Sequence, residues 1–163
     1  MFQAQAIEST GKSEFYRELA SQLTSLLEGE SDPIANAANT AALLFQMMAN
    51  INWAGFYLLR DGKELVLGPF QGLPACVRIP VGRGVCGTAV EQKHSILVED
   101  VHAFAGHIAC DAASRSELVV PLIGKGRILG VLDLDSPAVG RFDAEDQAGV
   151  ERIASIYVAA SAG

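Results

Sequence analysis

The chain has 163 residues, half of them hydrophobic and 19% charged: the size of one domain, with enough apolar mass for a single core, which excludes intrinsic disorder. Twelve Lys and Arg against nineteen Asp and Glu leave a net charge of −7, with the cations scattered, so neither a broad nucleic-acid surface nor a polybasic membrane-binding segment is expected. No apolar run reaches the ~18 residues of a membrane-spanning helix, and the opening MFQAQAIEST has no basic and apolar signal pattern, so a cytoplasmic protein is expected.

Residues 13–29 carry Phe15, Leu19, Leu23, Leu26 and Leu27 in one helical stripe, with Gly29 as a stop. Asp32-Pro33 predicts a second helix to about Ala49: Asp caps, and Pro takes the first turn, where its missing N–H costs nothing. Its apolar face is expected to be Ile34, Ala38, Ala41, Phe45 and Met48. The period then changes. Asn52–Leu59 reads as a strand, Asp61-Gly62 as a hairpin turn, and Glu64–Leu67 as the returning strand. Val77–Pro80 and Ser95–Val98 are short strands on either side of a helix over about 85–92. A long connection over 100–116 precedes a last hairpin, Glu117–Ile123 and Arg127–Asp133, turned by Gly124-Lys125-Gly126. Asp143 or a neighbour caps a final helix over about 144–161, with Val150, Ile153, Ala154 and Tyr157 inward. Short connections between strands predict antiparallel pairing. The fold class is therefore α+β: about six antiparallel strands (core about 52–134), with N-terminal helices (about 13–49) and the C-terminal helix packed on one face.

Three cysteines, Cys76, Cys86 and Cys110, are spaced by nine and twenty-three residues. The odd count excludes full disulfide pairing, and reduced thiols are the default without an export signal. There is no Cys-x-x-Cys, and the thiols with His102 and His107 fit no compact zinc motif, so no metal is expected. Cys110 lies in an irregular loop, Gly106-His-Ile-Ala-Cys-Asp111. An imidazolium from His107 would favour its thiolate, whereas Asp111 would oppose it; the choice between a nucleophile and a core thiol stays open at this point. Gly82, Gly84 and Gly87 before a helix are a weak phosphate signal that matches no full motif.

The last hairpin holds an oddity. Asp133 and Asp135 share one side of their strand, and Glu117 starts the partner strand. They are either solvated strand ends or an acidic pocket that holds an ammonium or keeps one carboxyl protonated. Trp53 and Tyr57 also share a parity, with Gly55 between them leaving space above the backbone. An aromatic wall over an acidic floor suits a small apolar group next to an ammonium; ordinary core packing is the alternative.

Asn-Trp-Ala-Gly-Phe-Tyr (52–57), Leu-Gly-Pro-Phe-Gln-Gly (67–72), Gly-Val-Cys-Gly-Thr-Ala (84–89), Gly-His-Ile-Ala-Cys-Asp (106–111), Ser-Glu-Leu-Val-Val-Pro (116–121) and Gly-Val-Leu-Asp-Leu-Asp-Ser-Pro (130–137) together resemble the free methionine-(R)-sulfoxide reductases, stand-alone GAF-domain enzymes. The resemblance covers about residues 14–157 and implies a single GAF domain over 1–163. It implies reduction of free L-methionine-(R)-sulfoxide to L-methionine through a cysteine sulfenic acid and an intramolecular disulfide. Thioredoxin recycles the enzyme, with NADPH acting indirectly and no bound cofactor. It further implies that Cys110 is the nucleophile, Cys76 the resolving thiol and Cys86 a recycling or alternative resolving thiol. Glu117, Asp133, Asp135, Trp53 and Tyr57 are then the substrate-binding residues, and a homodimer is expected. The competing class is a GAF module that senses a small molecule and acts in trans, since the chain ends just past its last helix without an output domain.

Overall fold

The computed structural model describes residues 1–162. Helices α1 (Lys12–Leu27) and α2 (Pro33–Met47) precede a hairpin of β1 (Trp53–Arg60) and β2 (Glu64–Gly72). Then follow β3 (Arg78–Pro80), α3 (Gly84–Gln92), β4 (Ile96–Val98), a 3-10 turn at Val101–Ala103, the hairpin β5 (Ser116–Gly124) and β6 (Arg127–Ser136), and α4 (Ala144–Ala160). The six strands form one sheet in the order β3-β2-β1-β6-β5-β4, and every neighbouring pair is antiparallel.

Local chemistry sets these elements. Asp32 Oδ1 accepts from the Ile34 and Ala35 amides at 2.9 and 2.8 Å, closing the α2 N-terminus. Asp143 and Asp146 form a reciprocal capping box on α4. Asp61-Gly62, in the three-residue loop between the paired Arg60 and Glu64, and Lys125-Gly126, the two-residue loop between Gly124 and Arg127, both have left-handed backbones (φ 51°, 67°, 51° and 74°) suited to tight hairpin turns. β2 runs five residues past the expected Leu67. Gly68-Pro69 lies opposite Phe56 as a bulge between the pairs Tyr57↔Leu67 and Gly55↔Phe70, where proline's missing N–H breaks no ladder bond.

The sheet has two covered faces. Ala54, Phe56, Leu118, Val120, Leu122, Leu132 and Leu134 pack under α1, α2 and α4. The opposite parity, with Trp53, Tyr57, Val119 and Val131, packs with Val85, Cys86, Ala89 and Val90 of α3. At the α1–α4 contact, the buried Asp146 accepts from Tyr16 Oη at 2.8 Å and pairs with Lys12 Nζ at 2.5 Å and Arg141 at 3.4 Å. α2 seats only part of the expected face: Ala41 and Met48 are buried as expected, but Ile34, Ala38 and Phe45 face outward, and Ala37, Thr40 and Leu44 turn inward. Small residues let α2 approach the sheet closely, and on that face Thr40 Oγ1 donates to the Asn36 carbonyl at 2.7 Å.

Candidate active site

The strand register assembles the floor of the site. Trp53 pairs with Asp135, which pairs with Glu117; Gly55 pairs with Asp133, which pairs with Val119. All these side chains therefore share the face under α3. Helix α3 brings Cys86 down onto them. Its Sγ lies 3.4 Å from Asp133 Oδ2 and 3.9 Å from Glu117 Oε1. The Gly82/Gly84/Gly87 spacing serves this packing. A Cβ on Gly87 would sit 2.3 Å from the Pro80 carbonyl, and one on Gly84 would meet Ile108 at 3.2 Å. These glycines make close contacts rather than an open phosphate cradle.

Two loops close over the floor. The 73–77 loop is held by the aromatic wall: Trp53 Nε1 donates to the Leu73 carbonyl at 3.1 Å, and Tyr57 Oη to the Cys76 carbonyl at 2.8 Å. Trp53 stacks against both Tyr57 and Phe70. The space expected above Gly55 is thus filled, since a Cβ there would meet Phe70 at 2.4 Å and the Trp53 ring at 2.6 Å. The 104–115 loop is tied down by Asn52, whose Nδ2 donates to Asp111 Oδ2 at 3.3 Å and to Ser114 Oγ at 3.4 Å. Sequence reading missed Asn52 and Ser114 as site supports, because a tie across some sixty residues leaves no local pattern.

Cys76 and Cys110, on these two loops, are joined by a disulfide, with Cα atoms 5.4 Å apart. The default of reduced thiols therefore gives way for this pair; Cys86 is free and buried. The cavity beneath, about 40 Å³, is lined by Trp53, Tyr57, Cys86, Cys110, Glu117, Asp133 and Asp135 together with His107 and Asp111. The structure thus gathers every site residue expected from sequence, with Cys76 bonded to Cys110 at its edge. The grouping of His102 with the thiols does not form: His102 is exposed beside Asp100. His107 turns to Glu117, with Nε2 3.8 Å from Oε2.

The electrostatics are unbalanced. Glu117 and Asp133 are buried, and Asp135 is partly buried beside them. Among the described residues, His107 is the only basic side chain paired with any of the three, and burial lowers its pKa and favours the neutral ring. Burial, then the neighbouring carboxylates Asp133 and Asp135, push the Glu117 carboxyl well above its ordinary range. Asp133 is pushed up to about 6 by burial, against hydrogen bonds from Glu117 and Cys86 that pull it down. Burial, Asp133 and Asp111 raise Asp135 as well. Burial and the same acids raise the Cys86 thiol, which stays protonated. At neutral pH such a cluster can hold a proton and offer negative charge to an incoming cation.

This fold and site define a class. Residues 35–160 match the GAF domain family. The chain is 58% identical over 142 residues (87% of this chain, 86% of the relative) to a protein from Escherichia coli named free methionine-R-sulfoxide reductase. It is 40% identical to a Saccharomyces cerevisiae protein of the same name, over 89% of this chain and 84% of that one. It superimposes with a TM-score of 0.95 on the structure of free methionine-R-sulfoxide reductase from Neisseria meningitidis in complex with its substrate, at 44% identity and covering 99% and 96% of the two chains. The chain belongs to the GAF domain family and, within it, to the free methionine-R-sulfoxide reductases.

Proposed function

We propose that this protein reduces free L-methionine-(R)-sulfoxide to L-methionine. The observation that carries the reading is the Cys76–Cys110 disulfide at the mouth of a pocket floored by buried, cation-poor carboxylates. In the reduced enzyme the Cys110 thiolate attacks the sulfoxide sulfur. The S–O bond breaks, the oxygen passes to Cys110 as a sulfenic acid with a proton, and methionine leaves as the thioether. The Glu117–Asp133 pair supplies the hydrogen bond or proton that draws the oxygen from sulfur. Asp135, nearer the mouth, suits the substrate ammonium, and Trp53 and Tyr57 form the wall for its apolar end. Cys76 then condenses with the sulfenic acid, releasing water and forming the disulfide. Cys86 is the alternative partner.

A thioredoxin dithiol returns the disulfide to two thiols by exchange, with NADPH as the distant electron source and the reducing cytoplasm as the compartment. No helix among the described residues is long and apolar enough to cross a membrane. A homodimer belongs to the same reading, supported by the outward stripe Ile34, Ala38 and Phe45 on α2. The test is NADPH oxidation in the presence of thioredoxin and its reductase. The R epimer of free methionine sulfoxide should turn over. The S epimer should not, and N-acetylation of the R epimer, which removes the ammonium, should cut kcat/KM sharply. Equal turnover of all three would defeat the assignment.

A further inference from the structure

We propose that the reduced protein binds one Zn²⁺ ion between Cys86, Glu117 and Asp133, and that the bound ion shuts off the reductase by occupying the floor of its substrate pocket. The second half rests on the function proposed above; the first does not. One ligand atom from each of the three residues lies within 4.8 Å of the others, with sulfur-to-oxygen separations of 3.4 and 3.9 Å. In a tetrahedral zinc site, Zn–S of about 2.3 Å and Zn–O of about 2.0–2.2 Å give donor-to-donor edges of roughly 3.3–3.6 Å. The two sulfur-to-oxygen edges lie within about 0.3 Å of that range and the remaining edge is under 4.8 Å, so small side-chain adjustments bring the three donors onto one face of such a tetrahedron. They stand on α3, β5 and β6, so no loop has to move to bring them together.

The donor set also lacks a cation. Asp133 is 95% buried by its 5% exposure, lines the cavity, and its Oδ1 accepts no hydrogen bond. A buried carboxylate oxygen without a partner is costly, and a metal ion is one group that satisfies it. The mixture of one sulfur with carboxylate oxygens selects against Mg²⁺ and Ca²⁺, which take six or more oxygens, and suits Zn²⁺. The fourth position faces the cavity, where water or the His107 imidazole, 3.8 Å from Glu117, can complete the shell. Zinc there would displace the thiol proton of Cys86 and withhold Glu117 and Asp133 from the substrate. It is an inhibitor in this account and takes no part in the reaction.

The experiment uses the full chain as the Cys76→Ser/Cys110→Ser variant, in which Cys86 is the sole thiol. Titration with Co²⁺ should give one equivalent, a thiolate-to-cobalt charge-transfer band and visible bands of tetrahedral intensity, all bleached by Zn²⁺. Adding Cys86→Ser should abolish the charge-transfer band. Asp133→Asn, which keeps both the thiol and the shape, should weaken zinc binding by at least about 10-fold. Free methionine sulfoxide should displace the cobalt, and zinc should inhibit the wild-type enzyme competitively. The proposal is overturned if no charge-transfer band appears, if the band survives Cys86→Ser, or if zinc-saturated wild type turns over at full rate. Cobalt bound through Cys86 in a protein that reduces no methionine sulfoxide would uphold the metal site and bring down the functional reading instead.

Discussion

Asp146 and Asp133 are both buried aspartates in opposite surroundings. Asp146 is matched by Lys12, Arg141 and the Tyr16 hydroxyl, and it ties α1 to α4. Asp133 faces Glu117 and a thiol, with no cation, so its charge is a cost the fold carries for its site. The sign of the pH dependence follows. A carboxyl raised from 3.8 to about 6 binds a proton in the folded state that the unfolded state has released between those values. Its stabilising contribution is full below about pH 4 and is lost as pH rises through about 6, a difference on the order of 3 kcal/mol. His107, held neutral by burial, pulls the other way below its ordinary range, so the informative quantity is a difference. Asp133→Asn should have a Tm close to wild type at pH 4 and several degrees above it at pH 7; a constant offset would show that Asp133 does not titrate with folding. At the cysteines, Cys110→Ser should abolish even one turnover. Cys76→Ser should release about one methionine per chain and then stall with thioredoxin, because the chemistry survives and its preferred recycling thiol does not. A single-turnover burst from Cys110→Ser would move the nucleophile elsewhere.

At the scale of elements, α3 is the part whose seating matters most. It is nine residues long and is set against the 80–82 backbone through Gly87. A methyl at that position meets the Pro80 carbonyl, which cannot rotate aside as a side chain could. Gly87→Ala should therefore destabilise the protein by about 1–3 kcal/mol and lift Cys86 from its carboxylates. Denaturant unfolding reads the first effect, and faster alkylation of the Cys86 thiol in the folded protein reads the second. Unchanged values for both would mean that the helix has room to shift. The hairpins at 61–62 and 125–126 were legible from residue type, because only a few side chains tolerate the left-handed turn. The extension of β2 through Gly68-Pro69 was not, because a bulge is defined by the partner strand opposite it.

For the whole molecule, the helix layer covers one face of the sheet and the site occupies the other, so surface left outside the helix layer is free for other uses. The outward side of α2 carries Ile34 at 50% and Phe45 at 38% exposure. If that stripe forms the homodimer contact, Phe45→Glu should convert dimer to monomer in sedimentation equilibrium while its folded spectrum stays native. A wild-type monomer at every concentration would remove the dimer from this account. α2 also shows a limit of periodicity. In an alanine-rich helix neighbouring stripes look alike, and bulk draws the expected face toward Ile34 and Phe45. The buried side keeps the expected Ala41 and Met48 and is rotated to include the small Ala37, which allows close approach.

Side-chain parity was enough to place Trp53 with Tyr57 and Asp133 with Asp135, because a strand has a period of two whatever surrounds it. Turn chemistry and helix caps were equally local, and so were the motifs that carry the family resemblance. The pairing of β1 with β6 and of β6 with β5, which puts Trp53, Asp135 and Glu117 in one row, is a matter of register between distant segments. So are the seating of Cys86 against Glu117 and Asp133, the Asn52 tie to the Cys110 loop and the filling of the space over Gly55. Local rules act over a few residues of chain. Burial, the raised pKa values and the meeting of two cysteines thirty-four residues apart arise only when the sheet closes and water is expelled.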